Sequence, residues 1–168
     1  MTEQADLDDF EAISVTQRSE EPLPEGRFTP AHYFAVHRHL FQDVYPWAGK
    51  PRSVRTGKAG AWFCFPENIA GELKRVFAEL KAQNFLRGLS AEAFAARGAY
   101  FLSELNAIHP FREGNGRAQS AFFALLAAKA GHPIDFNKLR PDTFLEAMVY
   151  SFGADTGPLE AQILDLIT

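Results

Sequence analysis

Apolar residues recur through most of this chain at intervals of three, four and seven, the spacing that gives a helix one buried face. Over residues 90–108 they fall at Phe94, Tyr100, Phe101, Leu105 and Ile108, and Pro110 disfavours helical backbone at His109, so a helix is expected to end there. The pattern resumes from Arg117 through Phe122, Phe123, Leu125, Leu126 and Ala130, with Gly131 placed to cap it. Upstream, Thr29 and Pro30 read as an N-cap and first-turn proline for a helix carrying Tyr33, Phe34, Val36, His37, Leu40 and Phe41. His37 and His39 are two apart and face different ways on it, which argues against a metal pair. Pro66 and Glu67 open a further helix with Ile69, Leu73, Val76, Phe77 and Leu80 on one side, ending near Gln83 and Asn84. After a short extended connection at residues 133–136, two more helices are expected. One covers residues 141–152, with Phe144, Leu145, Met148 and Val149; the other covers 159–167, with Ile163, Leu164, Leu166 and Ile167, all read as core stripes.

Two stretches depart from that periodicity. Residues 1–26 are acidic and contain Pro22 and Pro24, and the short apolar pattern at Leu7, Phe10 and Ile13 supports one weak helical turn or a docking segment, with partial disorder expected. Residues 50–65 follow the turn Tyr45-Pro-Trp-Ala-Gly49 and read as two short extended segments, 52–55 and 61–65, around the hairpin-like turn Thr56-Gly57-Lys58-Ala59-Gly60. An isolated hairpin has an unpaired edge, which can accept a strand from a partner by backbone hydrogen bonds. Trp62 and Phe65 fit either the core or that outer face, and both readings hold if alternate residues point opposite ways. The expected class is all-α: a helical bundle with one small β-hairpin flap, an N-terminal extension over residues 1–26 and a single domain over 27–168.

Composition narrows the function. With 46% hydrophobic and 13% aromatic content, 168 residues suffice for one substantial core. A formal charge of −4, from 17 basic and 21 acidic residues, argues against a nucleic-acid surface or a polybasic membrane anchor. There is no apolar run long enough to span a bilayer and no basic-then-apolar start, so a soluble cytoplasmic protein is expected. Cys64 is the single cysteine, which excludes an intrachain disulfide and a cysteine-based metal site.

The chemistry concentrates in His109-Pro-Phe-Arg-Glu-Gly-Asn-Gly-Arg117, between two predicted helices. A glycine-rich turn entering a helix leaves unpaired N–H groups at the positive end of the helix dipole, which is an anion site. Gly114 and Gly116 let the backbone approach a phosphate, Asn115 can add a side-chain donor, and Arg117 supplies a forked cation. The Glu113 carboxylate would repel a phosphate unless a cation lay between them, and Mg²⁺ resolves that conflict. His109 is close enough in sequence to take a proton from a nucleophile attacking bound phosphorus. Phe111, among charged neighbours, reads as the anchor that pins the loop to the core.

This stretch resembles the signature of the Fic family, His-x-Phe-x-Asp/Glu-Gly-Asn-Gly-Arg-x-x-Arg, and matches every defined position through Arg117. Phe41-Gln-Asp-Val-Tyr-Pro-Trp-Ala-Gly49 and Pro66-Glu-Asn-Ile69 are similar to the wording of bacterial members, and the resemblance covers about residues 28–136. It implies transfer of AMP from ATP to a Tyr, Thr or Ser hydroxyl of a target protein, with release of pyrophosphate. His109 would be the general base and Glu113 the Mg²⁺ ligand. The nucleotide-binding loop would comprise Phe111, Gly114, Asn115, Gly116, Arg117 and position 120, with the target held on a flap of Arg55, Thr56, Gly57, Lys58, Trp62 and Phe63. Toxin and translocated-effector roles, and a small antitoxin partner, come with the family alone.

One position departs: Ser120 stands where the family has a second arginine, which grips the γ-phosphate and pairs with an inhibitory glutamate. Two alternatives to AMP transfer therefore stay open, a different donor such as phosphocholine or another nucleotide, and a catalytically weak module that only binds a target. The family's inhibitory pattern, Ser/Thr-x-x-x-Glu-Gly/Asn, is approached at Thr156 to Ala161 and at Thr16 to Glu21 without being met, and no self-inhibition is expected.

Overall fold

The computed structural model describes residues 3–58, 60–152 and 155–167, with the backbone alone described at Phe152. Among the described residues seven α-helices run in the order α1 (Glu3–Glu20), α2 (Pro30–Phe41), α3 (Ile69–Ala82), α4 (Ala91–Ile108), α5 (Asn115–Ala130), α6 (Pro141–Phe152) and α7 (Gly157–Leu166). A two-stranded antiparallel hairpin, β1 (Gly57–Lys58) and β2 (Ala61–Trp62), lies between α2 and α3. Among the described residues this is the all-α bundle with one flap that the periodicity implies. No helix among them is long and apolar enough to cross a membrane.

The two long helices either side of the glycine-rich stretch form the frame. α4 is the hub, packed against α3, α5, α6 and α7, and α2 packs against both α5 and α1. Helix ends are set locally: the Thr29 hydroxyl accepts from the His32 N–H at 3.3 Å and the Ser90 hydroxyl from the Ala93 N–H at 3.2 Å, each taking up a donor the first turn leaves unpaired. Gly131 ends α5 with φ 89°, the left-handed cap its position suggested. Tyr33, Phe41, Phe111 and Phe122 are among the largest fully buried side chains, and with His37 their rings form a connected aromatic layer around Phe111 of the loop.

The structure corrects several expectations. The stretch expected to hold one weak turn and partial disorder is an 18-residue helix, α1. It is held by a two-point Arg18–Asp43 ion pair at 2.6 and 2.8 Å to the turn that follows α2, and by His39 Nε2 of α2 against the Arg18 carbonyl at 2.8 Å. Each hairpin strand is two residues long, because the Arg52 segment is drawn down to the end of α4 instead of extending the ladder. Leu145, Val149 and Leu164, read as core, are exposed, as is Tyr100; Phe94, Phe101, Leu105 and Ile108 carry the buried face of α4 without it. Trp62 and Phe65 are exposed and Phe63 is buried, so the alternation over β2 is resolved in favour of an outward Trp62.

Candidate active site

His109 caps the C-terminus of α4 and turns left-handed, with φ 49° and ψ 63°. That backbone is uncommon for a residue with a Cβ and costs of order 1 kcal/mol or more, so it persists because neighbours fix it. Arg52 does the fixing. Its guanidinium is buried and donates only to backbone carbonyls: Nε to His109 at 2.7 Å, Nη1 to Val54 at 2.8 Å, and Nη2 to Cys64 at 2.6 Å and Ile108 at 3.1 Å. Its own N–H reaches the Pro110 carbonyl at 2.8 Å, and the Cys64 N–H reaches the Ala107 carbonyl at 3.1 Å. The carbonyls that α4 leaves unpaired at its C-terminus are thus taken by the two arms of the flap, and a cation sits at the negative end of the helix dipole. One side chain ties the flap to the residue bearing the imidazole.

The imidazole lies flat on Phe63, with ring centroids 3.7 Å apart and planes within 1°. Its Nδ1 is buried and makes no hydrogen bond of ordinary geometry, although the Asn106 backbone lies near enough to favour the charged ring slightly. Burial first, and then the positive charges of Arg52 and Lys58, push its pKa down to about 4. The ring is therefore neutral throughout the physiological range.

The loop that follows is built around Phe111 and Asn115. Phe111 is fully buried and stacks on His37 with centroids 3.7 Å apart, as its role of anchor requires. It offers no surface to a ligand, which corrects its assignment to the nucleotide-binding set. The Asn115 side chain is buried as well: Oδ1 accepts from the Phe111 N–H at 3.0 Å and Nδ2 donates to the Phe111 carbonyl at 2.8 Å. Asn115 thus closes the loop on itself and is not the free side-chain donor the sequence suggested. His37 clamps the loop from below. The Gly49 N–H donates to Nδ1 at 2.9 Å, which leaves the proton on Nε2, and Nε2–H donates to the Glu113 carbonyl at 2.9 Å. Gly114, with φ 80°, is required twice over, because a Cβ there would overlap the Phe41 ring.

What remains outward is suited to an anion. α5 starts at Asn115 with no side-chain cap and no acidic residue in its first turn, so no side chain caps its leading N–H groups at the positive helix end. Gly116 is exposed with open space at its Cα, and Ser120 is half-buried one turn on. The Glu113 carboxylate is exposed and makes no ion pair among the described residues. Among the described residues no cluster of three or more His, Cys, Asp or Glu could hold a metal by itself, so the protein offers this one carboxylate. A single carboxylate suits Mg²⁺, which takes its remaining ligands from phosphates and water.

Arg117 lies over the Phe41 ring at 4.7 Å and donates through Nη2 to Glu11 of α1 at 2.5 Å. On the flap, Arg55 sits between Trp62 and Phe65, 4.6 and 3.8 Å from their ring centroids, while Thr56 accepts the Phe63 N–H through its carbonyl at 3.0 Å. Gly57 and Lys58 form the exposed strand β1.

With the site assembled, its kinship can be read. The Fic/DOC family model matches residues 27–127, which span α2, the flap, α3, α4 and most of α5. This chain belongs to the Fic/DOC family. It is 52% identical over 166 residues, 98% of this chain and 86% of the relative, to a probable protein adenylyltransferase, y4lH, of Sinorhizobium fredii. It is 37% identical over 138 residues to the protein adenylyltransferase VbhT of Bartonella schoenbuchensis, covering 82% of this chain but 29% of that protein. Among solved structures, it superposes on the Bartonella tribocorum BepC protein with bound AMPPNP at TM-score 0.90 and 27% identity, covering 100% of this chain and 89% of that one. A Bartonella quintana Fic domain with bound ADP gives TM-score 0.91 at 28% identity, covering 100% and 87%.

The fold gathers His109, Glu113, Gly114, Gly116 and Arg117 at one helix–loop–helix junction, and around it stand residues that the signature does not contain: Arg52, His37, and Glu11, which accepts from both Tyr45 and Arg117. Arg52 reads as one basic residue in an extended segment, and nothing local marks it as buried. His37 had a signal, a histidine on the apolar side of its helix. Glu11 had none, since its partners are 34 and 106 positions away.

Proposed function

We propose that this chain is a Mg²⁺-dependent protein adenylyltransferase that moves AMP from ATP to a hydroxyl side chain of a target protein. The observation that carries the reading is a neutral, positionally fixed His109 and a helix N-terminus without a side-chain cap, with Glu113 between them in sequence, exposed and in no ion pair among the described residues. The N–H groups of the first turn of α5 would bind the α- and β-phosphates and Arg117 would offset charge that builds on them in transfer. Glu113 would hold Mg²⁺, which supplies charge neutralisation on the phosphates. With Nδ1 buried, Nε2 of His109 is the nitrogen left to receive the proton of the target Tyr, Thr or Ser hydroxyl as its oxygen attacks the α-phosphorus; the bond to the β-phosphate oxygen breaks and pyrophosphate leaves. The flap, with Trp62 and Arg55 outward and Phe63 against the base, would present the target segment over His109.

The pH profile tests the base directly. Protonation removes the acceptor, so kcat/KM, which reports the free enzyme, is expected to fall only as pH drops through about 4 and to be flat from about pH 5 to 7. A break near 6.5, the value of an unperturbed imidazole, would show that the ring does not work from this environment.

Ser120 favours a second reading on the donor, because the position the family uses for the γ-phosphate carries no charge here. Ser120→Arg is expected to tighten ATP by about 1 to 3 kcal/mol, roughly 5- to 150-fold in Kd by calorimetric titration, leaving ADP almost unaffected. Equal gains for ADP and ATP would place the new charge elsewhere, and transfer from a phosphocholine or non-adenine donor in preference to ATP would replace the first reading by the second.

A further inference from the structure

α1 lies outside the residues matched by the family model, yet it delivers a carboxylate to the nucleotide loop. Glu11 accepts from Arg117 through Oε1 at 2.5 Å, and its other oxygen accepts from the Tyr45 hydroxyl. The side chain of Glu11 is only 18% exposed although α1 is otherwise a polar surface helix, with Ser14 and Val15 its buried residues. Both carboxylate oxygens are therefore committed, so Glu11 is itself fixed before it acts on anything.

The effect falls on Arg117. A free arginine side chain samples many rotamers, and ordering it is a cost that a ligand would otherwise meet on binding. Here the guanidinium face rests on Phe41, one amino group is taken by Glu11, and its Nε and Nη1 donors have no acceptor among the described residues. The arrangement leaves donors free on a cation that cannot swing away. It bears more weight in this chain than its relatives' motif would require, because Ser120 leaves Arg117 as the one arginine of the signature's last turn.

Building on the proposed AMP transfer, we infer that Glu11, backed by Tyr45, is a positioning residue that holds Arg117 in its transfer-competent orientation, making α1 a working part of the site. Glu11 is not the family's inhibitory glutamate in another place. Leu7 stands four residues before it and Ala12 directly after, against Ser/Thr and Gly/Asn in that pattern, and its partner is Arg117, not position 120. Burial would raise its pKa, but the Tyr45 and Arg117 hydrogen bonds outweigh that and hold it below the usual glutamate value, so it stays charged at neutral pH.

The test is a double-mutant cycle on the full chain, with AMP transfer from α-labelled ATP as one readout. Glu11→Ala is expected to lower kcat roughly 10- to 100-fold with little change in the KM for ATP. Glu11→Gln, which keeps the shape and one acceptor, is expected to recover most of the rate, and Glu11→Ala in an Arg117→Ala background to cost nothing more. Additive losses would overturn the inference, as would an unchanged or faster Glu11→Ala enzyme, the latter showing the contact to be a brake. A second readout needs no activity: the Arg117 Nε–H order parameter by NMR should be high in the native chain and drop in Glu11→Ala. Equal rigidity in both would overturn the inference even if the chain transferred nothing. Failure of transfer in the native chain, with the drop in rigidity observed, would sink the proposed reaction and leave the positioning role standing. Arg18–Asp43 and the His39 contact keep α1 in place in these variants, and a thermal midpoint within a few degrees of native confirms it.

Discussion

Arg52→Met is expected to destabilise the protein by about 3 to 5 kcal/mol and to reduce transfer by at least about 100-fold at temperatures where the variant remains folded. Methionine fills the volume and supplies no donors, so the carbonyls of His109, Ile108, Val54 and Cys64 lose four charge-assisted hydrogen bonds in a place with little water. The left-handed turn at His109 then has less to hold it, and the flap loses its tie to α4. Arg52→Lys keeps the charge but offers three donors from one point, which cannot reach four carbonyls around a planar fork, so it should recover only part of either loss. In both the free-energy and the kinetic sense the effect exceeds that of a surface arginine; urea unfolding with the slope held free measures the first. A change under about 1 kcal/mol would mean that the carbonyls find other partners. The acid limb of kcat/KM supplies a second check in Arg52→Met. Removing a positive charge beside His109 makes protonation easier, so the limb should move up from about 4, and not all the way to 6.5 because burial of the ring is the larger cause of the shift.

His109→Ala is expected to cut transfer by about 100- to 10,000-fold while leaving the thermal midpoint within a few degrees of native. The ring contributes stacking on Phe63, and its loss costs on the order of 1 kcal/mol, since the backbone of the turn is held from Arg52 and not from the imidazole. The comparison of the two variants is informative. Arg52→Met should weaken fold and chemistry together, His109→Ala the chemistry almost alone. Undiminished labelling in His109→Ala would remove the base from the mechanism.

How much of this was legible in the chain depends on whether a residue's partners are close in sequence. The helices between Thr29 and Gly131 follow from apolar spacing and local caps, and the glycine-rich loop follows from nine consecutive residues whose geometry is set by two adjacent helix ends. Phe111 as an anchor was legible for the same reason; that it lies too deep to touch a ligand was not, because the depth of a side chain is a property of the packed layer. Asn115 shows the same limit. An asparagine in a glycine-rich turn can serve a ligand or its own loop, and the two hydrogen bonds to Phe111 decide for the loop. Arg52, His37 and Glu11 act across 57, 76 and 106 positions, and no spacing rule reaches that far. α1 was underestimated because its own apolar pattern is weak: Leu7, Phe10 and Ile13 are exposed, and what holds the helix is a set of polar contacts to α2 and the loop. Leu145 and Val149 failed in the opposite direction, apolar at helical spacing yet outward.

The measurement that bears most directly on AMP transfer is the intact mass of target-bearing lysate proteins, and of the chain itself, after incubation with Mg²⁺ and each of ATP, other nucleoside triphosphates and a phosphocholine donor. The expected result is a gain of one AMP group with ATP that requires His109 and disappears when Mg²⁺ is chelated. A gain matching a different group, or none with ATP while nucleotide binding is intact, would contradict it.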